Sequence, residues 1–173
     1  MLALGRMTGP FLWQLPATYG YDPQRMEEFF ALLPRDSLAA AELARDHDHR
    51  VRRGALVETD VRIRYRHTFE VRHPSYFTEQ FAEQLRAHDI GFVVADTAGK
   101  FPYAETVTST FVYVRLHGSR VLYSSDYTDE ELDSWAARLR RWTTAGLDVY
   151  VYFDNDAKVH APFDAVRLRE RLT

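Results

Sequence analysis

Short apolar runs of strand character alternate with amphipathic helical stretches along all 173 residues, and this alternation leaves few folds open. A helix between two strands returns the second strand in the direction of the first, so the pattern predicts parallel βαβ units and an α/β fold. Five runs carry the strand signal: 9–16, 68–73, 90–96, 111–117 and 148–156. Asp22 followed by Pro23 predicts a helix start, with Met26, Phe29, Phe30 and Leu33 at helical spacing until Pro34. Asp36 offers a cap for a second helix rich in alanine and leucine. Phe77, Phe81 and Leu85 mark a third, reaching about as far as His88. Thr128 and Glu131 match a capping box, and Leu132, Trp135, Ala136, Leu139 and Trp142 share the face of the helix it opens. Pro162 sits near the first turn of a last helix. The charged stretch 50–67 has no helical period and reads as an irregular connection with a short strand around Val61 to Tyr65. Without a repeat or a linker, 1–173 reads as a single domain.

Composition narrows the function classes. A net charge of −3 gives no electrostatic case for wrapping nucleic acid or coating an anionic membrane, although a local basic cleft stays open. The chain has no cysteine, which excludes disulfides, thiolate metal sites and cysteine nucleophiles and fits a reducing cytoplasm. No run of 18 apolar residues predicts a membrane span. No P-loop, GxGxxG, GxSxG or HExxH motif is present, so no cofactor follows from the residues.

The ends of the strands are polar, and parallel α/β folds place their sites at those ends. In FVYVRLHGSR (111–120), alternation puts Phe111, Tyr113, Arg115 and His117 on one face, just before Gly118. Arg115 suits a phosphate or carboxylate, and His117 an acid, base or metal ligand. The competing reading is a polar plug, an Arg–His network satisfied inside the core. Glu70 and Arg72 share a face and form either a structural ion pair or a general base beside an anion anchor. Asp96 is a catalytic carboxylate or a cap for the turn at Gly99. Asn155 faces away from Asp154 and Asp156, so one of these sets faces the site. Gln14 can orient a substrate or satisfy backbone. His47 and His49 lack a third ligand, which makes them a weak zinc pair, so no metal is assigned. His67, His88 and His160 read as surface or loop residues.

Six ordered stretches carry a family resemblance: GPFLWQLP, FEVRHPSYF, VVADTAGKFP, FVYVRLHGS, YTDEELDSWAARLRRW and VYVYFDNDAKVHAPFDA. Together they resemble the C-terminal portion of the domain of unknown function 72 (DUF72, YecE-like) family. The resemblance implies a TIM-barrel-like fold, here incomplete, with about five parallel strands and flanking helices. It also favours Asn155 at the mouth of the barrel. Barrels of this kind have been likened to the endonuclease IV and xylose isomerase group, an analogy between folds that suggests sugar or nucleic-acid chemistry. Family domains run to about 250 residues, near the usual barrel length, and their N-terminal motifs have no counterpart here. Leu-Ala-Leu-Gly5 resembles an interior family segment often preceded by valine, so we expect a start upstream and an internal GTG codon read as Met1.

The expected function is that of a barrel acting on an anionic sugar or nucleic-acid-derived substrate. Glu70, Asp96 and His117 are then the catalytic candidates, and Gln14, Arg72, Arg115 and Asn155 the substrate-binding ones. The alternatives are a non-catalytic nucleic-acid- or metabolite-binding protein, or an inactive fragment. Open sheet edges predict self-association.

Overall fold

A computed structural model describes residues 2–51 and 54–173. Met1 and part of the 50–67 connection lie outside the described residues. Cα packing divides the chain into two compact units, Met1–Leu12 with Asp22–His67 and Trp13–Tyr21 with Thr68–Thr173.

The first unit contains helices α1 (Pro23–Leu32) and α2 (Ser37–Arg45). Asp22 accepts from the Arg25 N–H and Asp36 from the Ala39 N–H, so both helices start where the sequence places their caps. Met26, Phe30, Leu33, Ala40 and Ala41 are buried, with Phe29 only partly so. The strand expected around Val61 to Tyr65 is reduced to one antiparallel bridge, between Asp36 and Arg64. Its ladder groups go elsewhere: Ser37 Oγ donates to Val61 O at 2.6 Å and accepts from the Ile63 N–H at 2.9 Å. His67 corrects its surface assignment. It is fully buried, its Nε2 lies 2.8 Å from Pro34 O, and its ring stacks on Phe11 at 5.4 Å. Burial lowers its pKa, the Pro34 contact opposes that, and Arg35 adds to the lowering.

Among the described residues six strands form two sheets, ordered β1 (Phe11–Gln14), β2 (His67–Glu70), β3 (Ile90–Phe92) and β4 (Val94–Asp96), β5 (Phe111–Leu116), β6 (Asp148–Phe153). Pairing of β4 with β5 and of β5 with β6 is parallel. The hydrogen bonds Phe11 N–H to Arg66 O and Leu15 N–H to Glu70 O advance together, the parallel pattern. The β1 run is only half-buried, because it stands at the end of its sheet.

The single strand read over 90–96 is two, and backbone pairing explains why. Val93 N–H still donates to Phe69 O, whereas three residues later Asp96 O accepts from His117 N–H. The run therefore changes partner from β2 to β5 at Val93, a handover that local sequence does not announce. Gly91 sits at the closest approach. A Cβ there would lie 2.9 Å from Thr68 Oγ1 and 3.0 Å from Phe111 Cζ, so a larger residue would push the strands apart.

Three more helices complete the second unit: α3 (Glu79–Ala87), α4 (Asp129–Thr144) and α5 (Ala161–Leu172). The capping box at α4 is fully formed: the Thr128 side chain accepts from the Glu131 N–H and Glu131 from the Thr128 N–H. Its expected apolar face is wholly buried against Val112, Val114 and Leu116 of β5, with Val149, Val151 and Phe153 of β6 alongside. One face of β5–β6 is thus spent on the helices. The opposite face carries Tyr113, stacked on Tyr152 at 4.9 Å, and beyond them Arg115, His117 and Asp154.

Candidate functional site

Strand parity dictates which side chains meet at the ends of β1, β2, β5 and β6. Since Val112, Val114 and Leu116 face the helices, Tyr113, Arg115 and His117 must point the other way. In β6, Val149, Val151 and Phe153 likewise leave Tyr150, Tyr152 and Asp154 on the site face.

Glu70 is the centre of the cluster, 1% exposed, with both oxygens engaged. Oε1 accepts from Arg72 Nε at 3.1 Å and Nη2 at 2.9 Å, and Oε2 from Arg115 Nη1 at 2.6 Å. Gln14 Oε1 receives the same guanidiniums, from Arg115 Nη1 at 2.9 Å and Arg72 Nη2 at 3.2 Å. Arg115 Nη2 donates to Asp154 Oδ2 at 2.5 Å. Arg72 Nη2 also donates to the Tyr123 hydroxyl at 3.1 Å, and its guanidinium lies 5.0 Å from the Phe101 ring centre. Two cations and two carboxylates therefore balance in a mostly buried site, which is what makes burying them tolerable.

His117 is fully buried between the carboxylates. Nδ1 lies 2.8 Å from Asp154 Oδ2 and Nε2 3.6 Å from Glu70 Oε2, while Tyr123 packs edge-on against the ring at 5.3 Å. Neither approach to an oxygen is aligned as a hydrogen bond, so both ring nitrogens are close to acceptors that do not satisfy them. Burial alone would push the Glu70 carboxyl up. The close approach of the His117 ring and the hydrogen bond and charge that Arg115 brings overrule burial and hold it at about 2. At neutral pH Glu70 is therefore a permanent anion. Burial likewise pushes the Tyr113 hydroxyl up to about 12.

Gln14, Glu70, Arg72, Arg115 and His117 come together; Asp96 and Asn155 do not. Asp96 pairs in register with Leu116, on the helix-facing side of the sheet. Its Oδ1 accepts from the Ala98 N–H at 3.3 Å, and its Oδ2 from the Tyr127 hydroxyl at 3.1 Å. Burial raises its pKa against those two bonds. The turn-capping reading of Asp96 matches these bonds. Asn155 is buried and donates through Nδ2 to Ser125 O and Asp164 Oδ2, both at 2.9 Å, bracing the loop after β5. Asp154, its neighbour, takes the place at the site that the family resemblance gave to Asn155. The loop after β5 turns at Gly118, whose φ is +108°, and a Cβ there would lie 2.6 Å from Val121 O. Gly118→Ala should therefore displace Tyr123 and His117, read as a changed near-ultraviolet circular dichroism spectrum; an unchanged spectrum would show the loop absorbs the strain elsewhere.

Tyr123 and Asp154 are the members that reading the sequence did not select. Tyr123 comes from a loop with φ of 63° and follows no period, so only the fold brings it in. Asp154 had a usable signal: it shares parity with Tyr150 and Tyr152 on a strand whose other face is uniformly apolar. Among the described residues no three His, Asp or Glu side chains converge as metal ligands. His47 and His49 are exposed. No described helix is long and apolar enough to cross a membrane.

Comparison with known proteins agrees with the ordered motifs. The family described as "Protein of unknown function DUF72" matches residues 1–173. The chain belongs to the DUF72 family. A DUF72 protein from Thermotoga maritima is 25% identical, with a TM-score of 0.65 over 93% of this chain and 56% of that one. Two structures of a DUF72 protein from Enterococcus faecalis, 16% and 17% identical, give TM-scores of 0.67 and 0.64 over 94% of this chain. They are covered to 58% and 60% of their own length, so this DUF72 chain spans well under two thirds of the solved structures it matches. No curated protein matches the chain.

Proposed function

We propose that residues 1–173 are the C-terminal part of a single TIM-barrel-like DUF72 domain, and that the Glu70–Arg72–Arg115–His117 cluster is one wall of its ligand site. The two parallel three-stranded sheets, their polar strand ends and the partial coverage of the longer relatives support this reading. The ligand is an anionic sugar or nucleic-acid-derived molecule. Arg115 and Arg72 anchor its phosphate or carboxylate, and Gln14 orients it. Glu70, held at about 2, fixes the arginines and is too weak a base to take a proton near neutrality, which leaves His117 as the group for proton transfer. Asp96 and Asn155 support the neighbouring loops. Within the cytoplasm, β1 and β6, each at the end of its own three-stranded sheet, also favour self-association.

One observation carries the proposal: Arg115, 13% exposed, is locked by Gln14, Glu70 and Asp154 at a strand end beside a buried histidine with unsatisfied nitrogens. Preorganised guanidinium of this kind recognises oxyanions. Calorimetry with glucose 6-phosphate, glucuronate and glucose tests it. Binding of the anionic sugars alone, weakened at least about tenfold in a folded Arg115→Ala variant, is the expected result; equal binding by the variant would refute it. A second reading, recognition without chemistry, is favoured by the charge balance of the cluster. It predicts binding with no turnover, and a steep salt slope with short DNA or RNA would identify a polyanion as the ligand.

A further inference from the structure

We infer that the carboxylate of Asp154 is a built-in occupant of the anion site, and that a carboxylate of the ligand displaces it. The inference rests on the site proposed above and narrows its ligand to carboxylate-bearing molecules such as sugar acids.

Of the charged groups in the cluster, Asp154 is the one able to leave. Its side chain is 35% exposed, against 1% for Glu70, 13% for Arg115 and 15% for Arg72. Glu70 is held by three hydrogen bonds from guanidinium nitrogens, whereas Asp154 accepts one, through Oδ2. Asp154 is also the first residue beyond β6, with its N–H fixed to Leu116 O at 2.8 Å. The backbone is anchored and the side chain alone needs to rotate.

What it would leave behind is shaped for another carboxylate. Oδ2 by itself faces both Arg115 Nη2 and His117 Nδ1, and it meets the imidazole out of line. An incoming planar carboxylate brings two oxygens, one for the guanidinium and one along the imidazole N–H. His117 then gains the aligned partner it lacks, a gain in a buried site where an unsatisfied polar group is costly. Charge points the same way. With Asp154 swung out, Arg72, Arg115 and Glu70 leave one net positive charge, which one carboxylate cancels; a phosphate dianion overfills it unless His117 is protonated.

An internal competitor reduces apparent affinity by the fraction of protein in which the site is open. In the full chain, Asp154→Ala should therefore bind glucuronate at least about tenfold more tightly than the wild type. Formate, small enough to fill the vacated position, should raise its melting temperature while leaving the wild type unmoved. Adding Arg115→Ala should abolish both effects. Should Asp154→Ala not fold, Asp154→Asn, near-isosteric and uncharged, is expected to show the same tightening. A folded variant that binds glucuronate no better than the wild type and ignores formate would overturn the inference, as would a preference for inorganic phosphate over glucuronate. If the wild type binds anionic sugars through Arg115 but Asp154→Ala changes nothing, only the displacement fails. If no anionic sugar binds and Arg115→Ala is silent, the proposed site itself fails.

Discussion

Glu70→Ala is expected to destabilise the second unit by about 3–5 kcal/mol, because it leaves two largely buried guanidiniums without their shared counter-ion. Arg72 and Arg115 are only 15% and 13% exposed, so water cannot take over the role. Glu70→Gln keeps the shape and some of the acceptor capacity but loses the charge, and should fall between the wild type and Glu70→Ala. The same residue predicts a pH dependence. Its carboxyl lies at about 2 in the folded protein against an ordinary 4.5, so the unfolded chain takes up the proton first as pH falls. The stability Glu70 contributes is then fully present above about 4.5 and drains away as pH falls towards about 2. Urea melts of wild type and Glu70→Gln at pH 7, 4 and 3 check this, since other carboxylates in the chain affect both proteins alike. The gap between the two should narrow on acidification. A gap that stays constant would mean Glu70 titrates normally, and the account of the cluster would be wrong.

Trp135→Ala is expected to cost a similar amount, about 3–5 kcal/mol, by a different mechanism. Trp135 is 3% exposed in the core that α4 forms with β5 and β6, and the Arg138 guanidinium lies over its ring, 4.5 Å from the ring centre. Truncation removes the buried ring, leaves a cavity and forfeits the cation–π contact. Trp135→Phe retains most of the volume and should cost less than half as much. Denaturant midpoints at unchanged slope are the measurement; equal losses for alanine and phenylalanine would point to a specific indole contact rather than to packing. Trp135 and Glu70 lie on opposite sides of β5 and share no partner, so their effects should add. The double variant would then consume most of the about 5–15 kcal/mol that holds a typical domain together.

The sequence was most legible where two independent patterns agreed. The capping box at Thr128 and the apolar period through Trp142 define α4, and alternation along 111–117 assigns Arg115 and His117 to the same face. Legibility failed where a residue's partner lies far along the chain. The 90–96 run is apolar on both faces, so neither its change of partner at Val93 nor the helix-facing side of Asp96 is encoded in its alternation. His67 follows a strongly charged stretch that masks the start of β2, and its burial depends on Pro34, 33 residues earlier. For Asp154 and Asn155 the strand pattern itself carries the information. The valines and phenylalanine of β6 assign its apolar face to the helices, which puts Asp154 in the site.

Sequence separation within the cluster has a kinetic consequence. The bond between Arg115 and Gln14 closes a loop of 101 residues, and those from Arg115 to Glu70 and Asp154 close loops of 45 and 39. Contacts of this kind form only after long stretches of chain have been ordered, and parallel topology makes that ordering slow. A transition state for folding that lacks these contacts gives the site no grip on its rate. A bound anion should then leave the refolding limb of a chevron plot where it is and lower the unfolding limb. The cluster would act as a latch on the finished fold, contributing to how long the native state lasts rather than to how fast it is reached.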